Sequence, residues 1–275
     1  PWTEALVRDP RGFDAVSLHY YTLPTGDWSR KGAATGFDET AWAQTFQRTR
    51  RLEAMIVGHD EVMDRHDPEN RLGLMVAEWG AWYDPTPGTN GAFLQQQNSL
   101  RDALLAAVNF GIFHRHADRV RMANIAQMVN VLQAMIHTDG PRMVLTPTYH
   151  AFEMFTPFQG AQALPVTLAG PEYVVGEIRQ PAIDVTAARG EDGAVHVALV
   201  NIDPDDPAEV RLALEGLGQG AVSGRLLTAE RMDSLNSYDD PESVRPVPFQ
   251  GASWTGGRLN VTMPAKAVVV LTIRA

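Results

Sequence analysis

Apolar and polar positions follow two different rhythms along this chain, and the change falls near Gly160. Before it, short apolar runs alternate with long stretches that place an apolar residue every three or four positions. That is the pattern of β-strands alternating with helices. The run Asp14-Ala15-Val16-Ser17-Leu18-His19-Tyr20-Tyr21 predicts a strand ending in polar and aromatic side chains, followed by a Gly/Thr/Asp-rich loop over residues 24–36. Asp38 has the chemistry of a helix N-cap. It predicts one helix over residues 39–65, with Trp42, Phe46, Leu52, Ile56, Val57 and Met63 on the buried face.

Leu72-Gly73-Leu74-Met75-Val76-Ala77-Glu78-Trp79 is nearly continuous in apolar character, as suits a parallel strand covered on both faces. A Pro/Gly/Thr-rich loop over residues 83–91 leads into a second predicted helix, with Phe93, Leu100, Leu104, Val108 and Ile112 on one face. Residues 119–126 predict a third strand, weakened by Arg119 and Arg121, and residues 128–136 a short apolar helix. Beyond Gly160 the period is near two and no helix is predicted. Short strands are expected at residues 183–185, 195–199, 210–214, 259–261 and 267–273, as in a β-sandwich. The fold class is therefore α/β plus all-β, divided into residues 1–160 and 161–275. Three parallel strands cannot close a barrel and would leave edges unpaired. The expectation is that further strands belong on the N-terminal side, and that the start at Pro1-Trp2 says nothing about export.

Length and composition narrow the function. At about 150 residues per domain, 275 residues predict roughly two domains. A net charge of -10 argues against a nucleic-acid or anionic-membrane surface, both of which need clustered basic charge. No apolar run approaches the roughly 18 residues of a membrane span. The absence of cysteine removes thiolate metal sites and cysteine nucleophiles.

Glu78 is the leading candidate for chemistry. It closes a hydrophobic strand, where barrel enzymes place catalytic side chains, and Trp79, Trp82 and Tyr83 follow it as sugar-stacking aromatics would. A carboxylate there suits a nucleophile at an anomeric carbon or a general acid or base; an N-cap or ion-paired loop acid is the plainer alternative. His19, Tyr20 and Tyr21 end the first strand, where one could hydrogen-bond Glu78 or merely cap the sheet. Gln127 and Asn130 follow the third strand and Asn124 lies in it, as sugar-binding amides or loop ties.

Other polar features carry less. His114 and His116, followed by Asp118, suit a helix C-terminus better than a metal site. Met55, Met63, Met128 and Met135 read as core residues. The Asp-rich segments 203–206 and 239–242 read as solvated turns rather than calcium loops. Neither a Gly-rich phosphate loop nor a Gly-x-Ser-x-Gly elbow occurs.

Three segments together resemble glycoside hydrolase family 51, chiefly α-L-arabinofuranosidases: residues 16–21, Ala77-Glu78-Trp79-Gly80-Ala81-Trp82-Tyr83-Asp84, and above all residues 116–132. Leu145-Thr146-Pro147-Thr148-Tyr149-His150 and the loop 236–244 are similar to that family as well. The resemblance implies strands six to eight of a (β/α)₈ TIM barrel followed by a jelly-roll-like β-sandwich. It implies a retaining mechanism, with Glu78 as nucleophile and Tyr21 hydrogen-bonded to it beside His19. Trp82 and Gln127 become substrate-binding residues for an arabinofuranoside. It implies no metal or organic cofactor, a homo-oligomer and a cytoplasmic location. Two departures stand out. Ala77 occupies a position where many members carry Asp, and the Asn-Glu pair that holds the family's acid/base is absent from these residues. The resemblance therefore implies that the N-terminal part of the same enzyme supplies that acid, and that this chain alone is incomplete as a catalyst. A related β-xylosidase or endoglucanase, or a non-catalytic carbohydrate-binding or assembly module, are the alternatives.

Overall fold

Residues 1–274 are described by a computed structural model. Helix α1 (Trp2–Val7) precedes strand β1 (Ala15–Thr22), helices α2 (Glu39–Thr49) and α3 (Arg51–His66), strand β2 (Gly73–Ala81), helix α4 (Leu100–Arg115) and strand β3 (Val120–Ile125). The strands form one parallel sheet in the order β1-β2-β3. The central place of β2 explains its apolar run, in which Leu74, Val76 and Trp79 are fully buried.

The single helix expected over residues 39–65 is two helices. Asp38 does cap α2, its carboxylate accepting from Ala41 N–H at 2.8 Å. Thr45 and Thr49 then each donate to the carbonyl four residues back, a pattern that bends helices, and the chain breaks at Arg50. Trp42, Phe46, Leu52, Ile56 and Met63 are buried as expected. Val57 is exposed, because one residue beyond Ile56 lies about 100° around the helix.

Helix α4 is buried from Leu100 through Phe113. It touches β2 on one side and antiparallel strands described below on the other, so an all-round apolar helix is what its position requires. Its start is set by a capping box between Ser99 and Asp102. Phe93 is therefore not part of it: the residue sits in a separate 3₁₀ turn (Gly91–Phe93) and is 69% exposed.

The two arginines that weaken the third strand turn out to anchor it. Arg119 is fully buried just before β3 and donates to Asp60 and Asp67 at 2.9 Å each and to Asp64 at 2.5 Å, tying α3 to the sheet. Arg121 reaches the Asn70 carbonyl at 2.6 Å.

The helix expected over residues 128–136 does not form. Asn130 and Leu132 take φ of 61° and 54° in the left-handed region, which interrupts any right-handed helix. The chain passes instead into a hairpin of β4 (Ile136–Asp139) and β5 (Arg142–Leu145), then helix α5 (Pro147–Met154), capped by Thr146. Met128 is consequently on the surface; on α3, Met55 is exposed as well, while Met63 is core.

The rest is antiparallel. Strands β6 (Gln162–Leu164), β9 (Ile183–Arg189), β10 (Val195–Asn201), β12 (Ala221–Leu227), β13 (Val247–Pro248) and β16 (Ala267–Arg274) form a six-stranded sheet in the order β13-β12-β16-β10-β9-β6. Strands β11 (Ala208–Leu212), β14 (Ala252–Thr255) and β15 (Arg258–Met263) form a second sheet, and β7 (Glu172–Val175) pairs with β8 (Ile178–Pro181). Inward residues of both sheets, among them Leu199, Leu271, Leu259 and Val261, join one core with the buried residues of α4. The expected strand at 210–214 is shifted, since Ala213 and Leu214 lie past the end of β11. Strand β12 escaped the periodicity because Gly224 interrupts it; a Cβ there would come within 2.8 Å of Leu271 Cδ2. In the turn at 203–206, the Asp203 carboxylate accepts from the amides of Asp205 and Asp206 at 3.0 and 2.9 Å.

The antiparallel region grips the parallel one at several points. Asn236, in the β12–β13 connection, donates to the carbonyls of Leu145 and Val244 at 2.9 Å each. Ser99 and Leu235 form a β-bridge at the start of α4. Trp42 Nε1 donates to the Ile202 carbonyl at 2.7 Å.

Candidate active site

The C-terminal ends of β1 and β2 lie side by side, and a slip in their register sets the chemistry there. Leu18 pairs with Val76, but His19 pairs with Glu78, so Ala77 is passed over. An extra residue of this kind re-aims the side chains beyond it. Tyr21 is thereby set opposite Gly80, two positions past Glu78 on the neighbouring strand.

The Tyr21 hydroxyl donates a hydrogen bond to a Glu78 carboxylate oxygen. Burial, and then this bond to an anion, push the phenol's pKa above its ordinary value, so the hydroxyl remains a donor at any working pH. His19 Nδ1 lies 3.5 Å from the same Glu78 oxygen, beyond ordinary hydrogen-bond length. Both the His19 and Glu78 side chains are about half exposed, at 51% and 44%. Glu78 is thus held on one side and open on the other.

Aromatic rings pack around Tyr21. Trp82 meets Tyr21 edge-on at 4.9 Å between centroids, a geometry worth about 0.5–1.5 kcal/mol beyond burial. Trp28 meets Trp82 in the same way at 5.3 Å, and Lys31 Nζ lies 5.8 Å from the Trp82 centroid. The loop that carries Trp28 and Lys31 is pinned: Asp84 accepts from the amides of Lys31 and Gly32 at 3.2 and 3.1 Å. Gly26, at φ 72°, sits so close to Arg48 that a Cβ would meet its guanidinium at 2.8 Å.

The structure separates the other candidates. Tyr20 faces away from the site and donates to the Arg48 carbonyl on α2, and burial pushes its pKa up to about 12. Gln127 lies two residues past the end of β3, at the same end of the sheet as Glu78, with an exposed side chain. Asn130 is a loop tie: its amide bonds Thr138 through both backbone and hydroxyl, at 2.7 and 2.9 Å. Asn124 is exposed on β3. His114 lies at the far end of α4, stacked on Phe158 at 5.1 Å and 3.1 Å from Thr186 Oγ1, with burial lowering its pKa to about 4. His116 lies 3.5 Å from Glu53. Among the described residues, no group of three or more His, Cys, Asp or Glu side chains is placed to hold a metal ion.

Sequence reasoning overlooked several residues here. Trp28 and Lys31 lay in a segment read only as a loop, where an aromatic next to a strand end was the available signal. Gln96 and Gln133 were not singled out at all. Both are fully buried behind β2 and bond its backbone. A polar residue within an apolar stretch, as Gln133 is, was the one sign of it.

The model of the family described as "Alpha-L-arabinofuranosidase C-terminal domain" matches residues 77–267. An intracellular exo-α-L-arabinofuranosidase of Bacteroides ovatus is 38% identical over 275 residues, covering 99% of this chain and 53% of that protein. The crystal structure of the GH51 arabinofuranosidase from Xanthomonas axonopodis pv. citri superposes with a TM-score of 0.97 at 50% identity, covering 99% of this chain and 55% of the other. The arabinose complex of an α-L-arabinofuranosidase from Thermotoga maritima shares the fold, with a TM-score of 0.80 at 22% identity. That match covers 100% of this chain and 55% of the other. The chain spans about half the length of the curated relatives it matches, as the 53% coverage shows.

Proposed function

Because the chain belongs to the α-L-arabinofuranosidase C-terminal domain family of glycoside hydrolase family 51, we propose that it carries the nucleophilic side of a retaining arabinofuranosidase site. The observation that carries this reading is the half-exposed Glu78 carboxylate, held by Tyr21, whose ring packs edge-on against Trp82. Glu78 attacks the anomeric carbon of a terminal α-L-arabinofuranosyl residue, the leaving-group oxygen takes a proton from an acid, and a covalent glycosyl-enzyme forms. Water then cleaves that intermediate, with the same acid acting as base. Retaining enzymes place their two carboxyls about 5–5.5 Å apart. The acid/base belongs to the remainder of the whole protein, consistent with a chain that spans half of its relatives' length.

In this reading β1, β2 and β3 are barrel strands six to eight, residues 1–160 belong to the catalytic barrel and residues 161–275 to a jelly-roll-like sandwich. The sandwich braces α4 and the β4–β5 hairpin through Leu235 and Asn236. Trp82 and Gln127 contact the furanose, and His19 completes the pocket beside Glu78. The intracellular names of several relatives support a location inside the cell.

The test is to trap the intermediate. A 2-fluoro arabinofuranosyl fluoride incubated with the intact enzyme should label one peptide, with the adduct mass on Glu78 by tandem mass spectrometry. Labelling at another carboxylate, or unchanged turnover of an aryl α-L-arabinofuranoside by Glu78→Ala, would sink the assignment. Appreciable turnover by the 275-residue chain alone would overturn the part of the reading that places the acid elsewhere.

A further inference from the structure

Strand β3 ends before β2 does. The β2–β3 ladder closes with Ile125 opposite Trp79, and the Ala126 amide makes a last bond to the Trp79 carbonyl at 2.9 Å. β2 runs on to Ala81 and leads into Trp82 and Tyr83. Its far edge there is covered by protein but has no strand to pair with, and a buried peptide group left without a partner costs as much as a lost hydrogen bond.

Two side chains take the place of the strand. Gln133 Oε1 accepts from Ala81 N–H at 2.7 Å. Gln96 Nε2 donates to the Ala81 carbonyl at 3.2 Å, and its Oε1 accepts from Tyr83 N–H at 2.8 Å. Both glutamines are 0% exposed. Gln133 is itself fixed, donating through Nε2 to the Asp102 carbonyl at 2.8 Å and to Thr148 Oγ1 at 3.2 Å. Gly80 makes room for this arrangement. A Cβ at that position would stand 3.2 Å from Gln133 Oε1, and the φ of 143° is one that L side chains rarely adopt.

We infer that Gln133 and Gln96 are positioning residues: their amides extend the sheet past the end of β3 and fix the Ala81–Tyr83 backbone. That backbone sets Trp82 edge-on against Tyr21, and Tyr21 holds the carboxylate of Glu78. The inference rests on the reading of Glu78 as the reacting carboxylate. Neither glutamine needs to touch substrate to affect the rate, since displacement of a reacting group by about 1 Å can cost on the order of 100-fold.

The experiment compares Gln133→Met, Gln96→Met, Gln180→Met and Glu78→Ala in the intact enzyme on an aryl α-L-arabinofuranoside. Gln180 is a buried glutamine remote from Glu78 that donates to the Ala43 carbonyl at 2.9 Å, and it controls for the loss of any buried amide. Gln133→Met and Gln96→Met should each lower kcat about 10- to 100-fold with KM within about twofold of wild type. Gln180→Met should lower the melting temperature comparably and leave kcat unchanged. If Glu78→Ala is inactive while the two site variants keep the kcat of Gln180→Met, this inference alone fails. A rise in KM at constant kcat would place the glutamines in substrate binding and also overturn it, as would failure of both variants to fold. If Glu78→Ala keeps wild-type turnover, the reading of the site fails first.

Discussion

Tyr21 and Glu78 sit on neighbouring parallel strands two register positions apart, and the phenol reaches diagonally to donate to the carboxylate. The slip at Ala77 makes that reach available, because it brings His19 rather than Tyr20 opposite the acid and so sets Tyr21 two positions beyond it. A donor that cannot itself ionise at working pH holds the carboxylate aimed, which a nucleophile requires.

Tyr21→Phe keeps the ring against Trp82 and removes only the donor. A hydrogen bond to a charged group is worth about 1.5–3 kcal/mol, and each 1.36 kcal/mol is about tenfold in rate. Steady-state assays of the intact enzyme should therefore show kcat reduced about 10- to 100-fold with a nearly unchanged melting temperature. Wild-type kcat in this variant would remove Tyr21 from the mechanism.

Arg119→Met should be among the most destabilising single changes in the chain. It strands the carboxylate of Asp67, whose side chain is 1% exposed and whose pKa is lowered, although burial pushes the other way, by the Leu72 and Arg71 amides and by Arg119. Breaking a buried pair by removing one partner costs about 3–5 kcal/mol. Arg142→Ala, which breaks an exposed and solvent-screened pair with Asp139, should cost far less. Urea unfolding of the two variants side by side measures the difference; equal losses would contradict this account.

Stability should fall on acidification in two stages. Burial lowers the pKa values of His114 and His137 to about 4. The unfolded chain therefore binds their protons first, near 6.5, and stability that is full above that pH is lost as pH falls from about 6.5 to 4. Glu53, with His116 beside it and Arg115 donating to it, has its pKa lowered to about 2. Its contribution is full above its unfolded value near 4.5 and is lost between there and about 2. Melting temperatures across pH 3 to 8 should show the first decline flattened in His114→Gln/His137→Gln and the second in Glu53→Gln. An unaltered profile in the double histidine variant would reject the first assignment.

Asn236→Ala tests how far the antiparallel region supports the site. The variant leaves the Val244 amide, bonded to Asn236 Oδ1 at 2.7 Å, without a buried partner, and frees two carbonyls. A loss of about 1–3 kcal/mol is expected. Amide hydrogen exchange should quicken in residues 234–246 and in the β4–β5 hairpin together. Exchange that rises in the loop alone would show that the hairpin does not depend on it.

Local pattern carried much of the fold. A helix or strand turns a fixed amount per residue, so the spacing of apolar side chains reports which face is covered without any knowledge of what covers it. Trp42, Phe46, Leu52, Ile56 and Met63 were legible for that reason. Val57, Phe93 and Met128 were misplaced where the backbone left its regular path. Arg50 breaks one helix, Ser99 starts another later than the apolar residues suggest, and Asn130 and Leu132 turn the chain back.

By itself the sequence determined the segments of the three parallel strands, the antiparallel texture of the later residues and the position of Glu78 near the end of a buried strand. These depend on neighbours in the chain. Which groups surround Glu78 was decided only by tertiary structure. Tyr21 lies 57 residues away and Gln133 bonds Ala81 across 52. Hydrogen bonds act over about 3 Å and have no period along a sequence. Only the packing of strands, helices and loops brings such partners within reach.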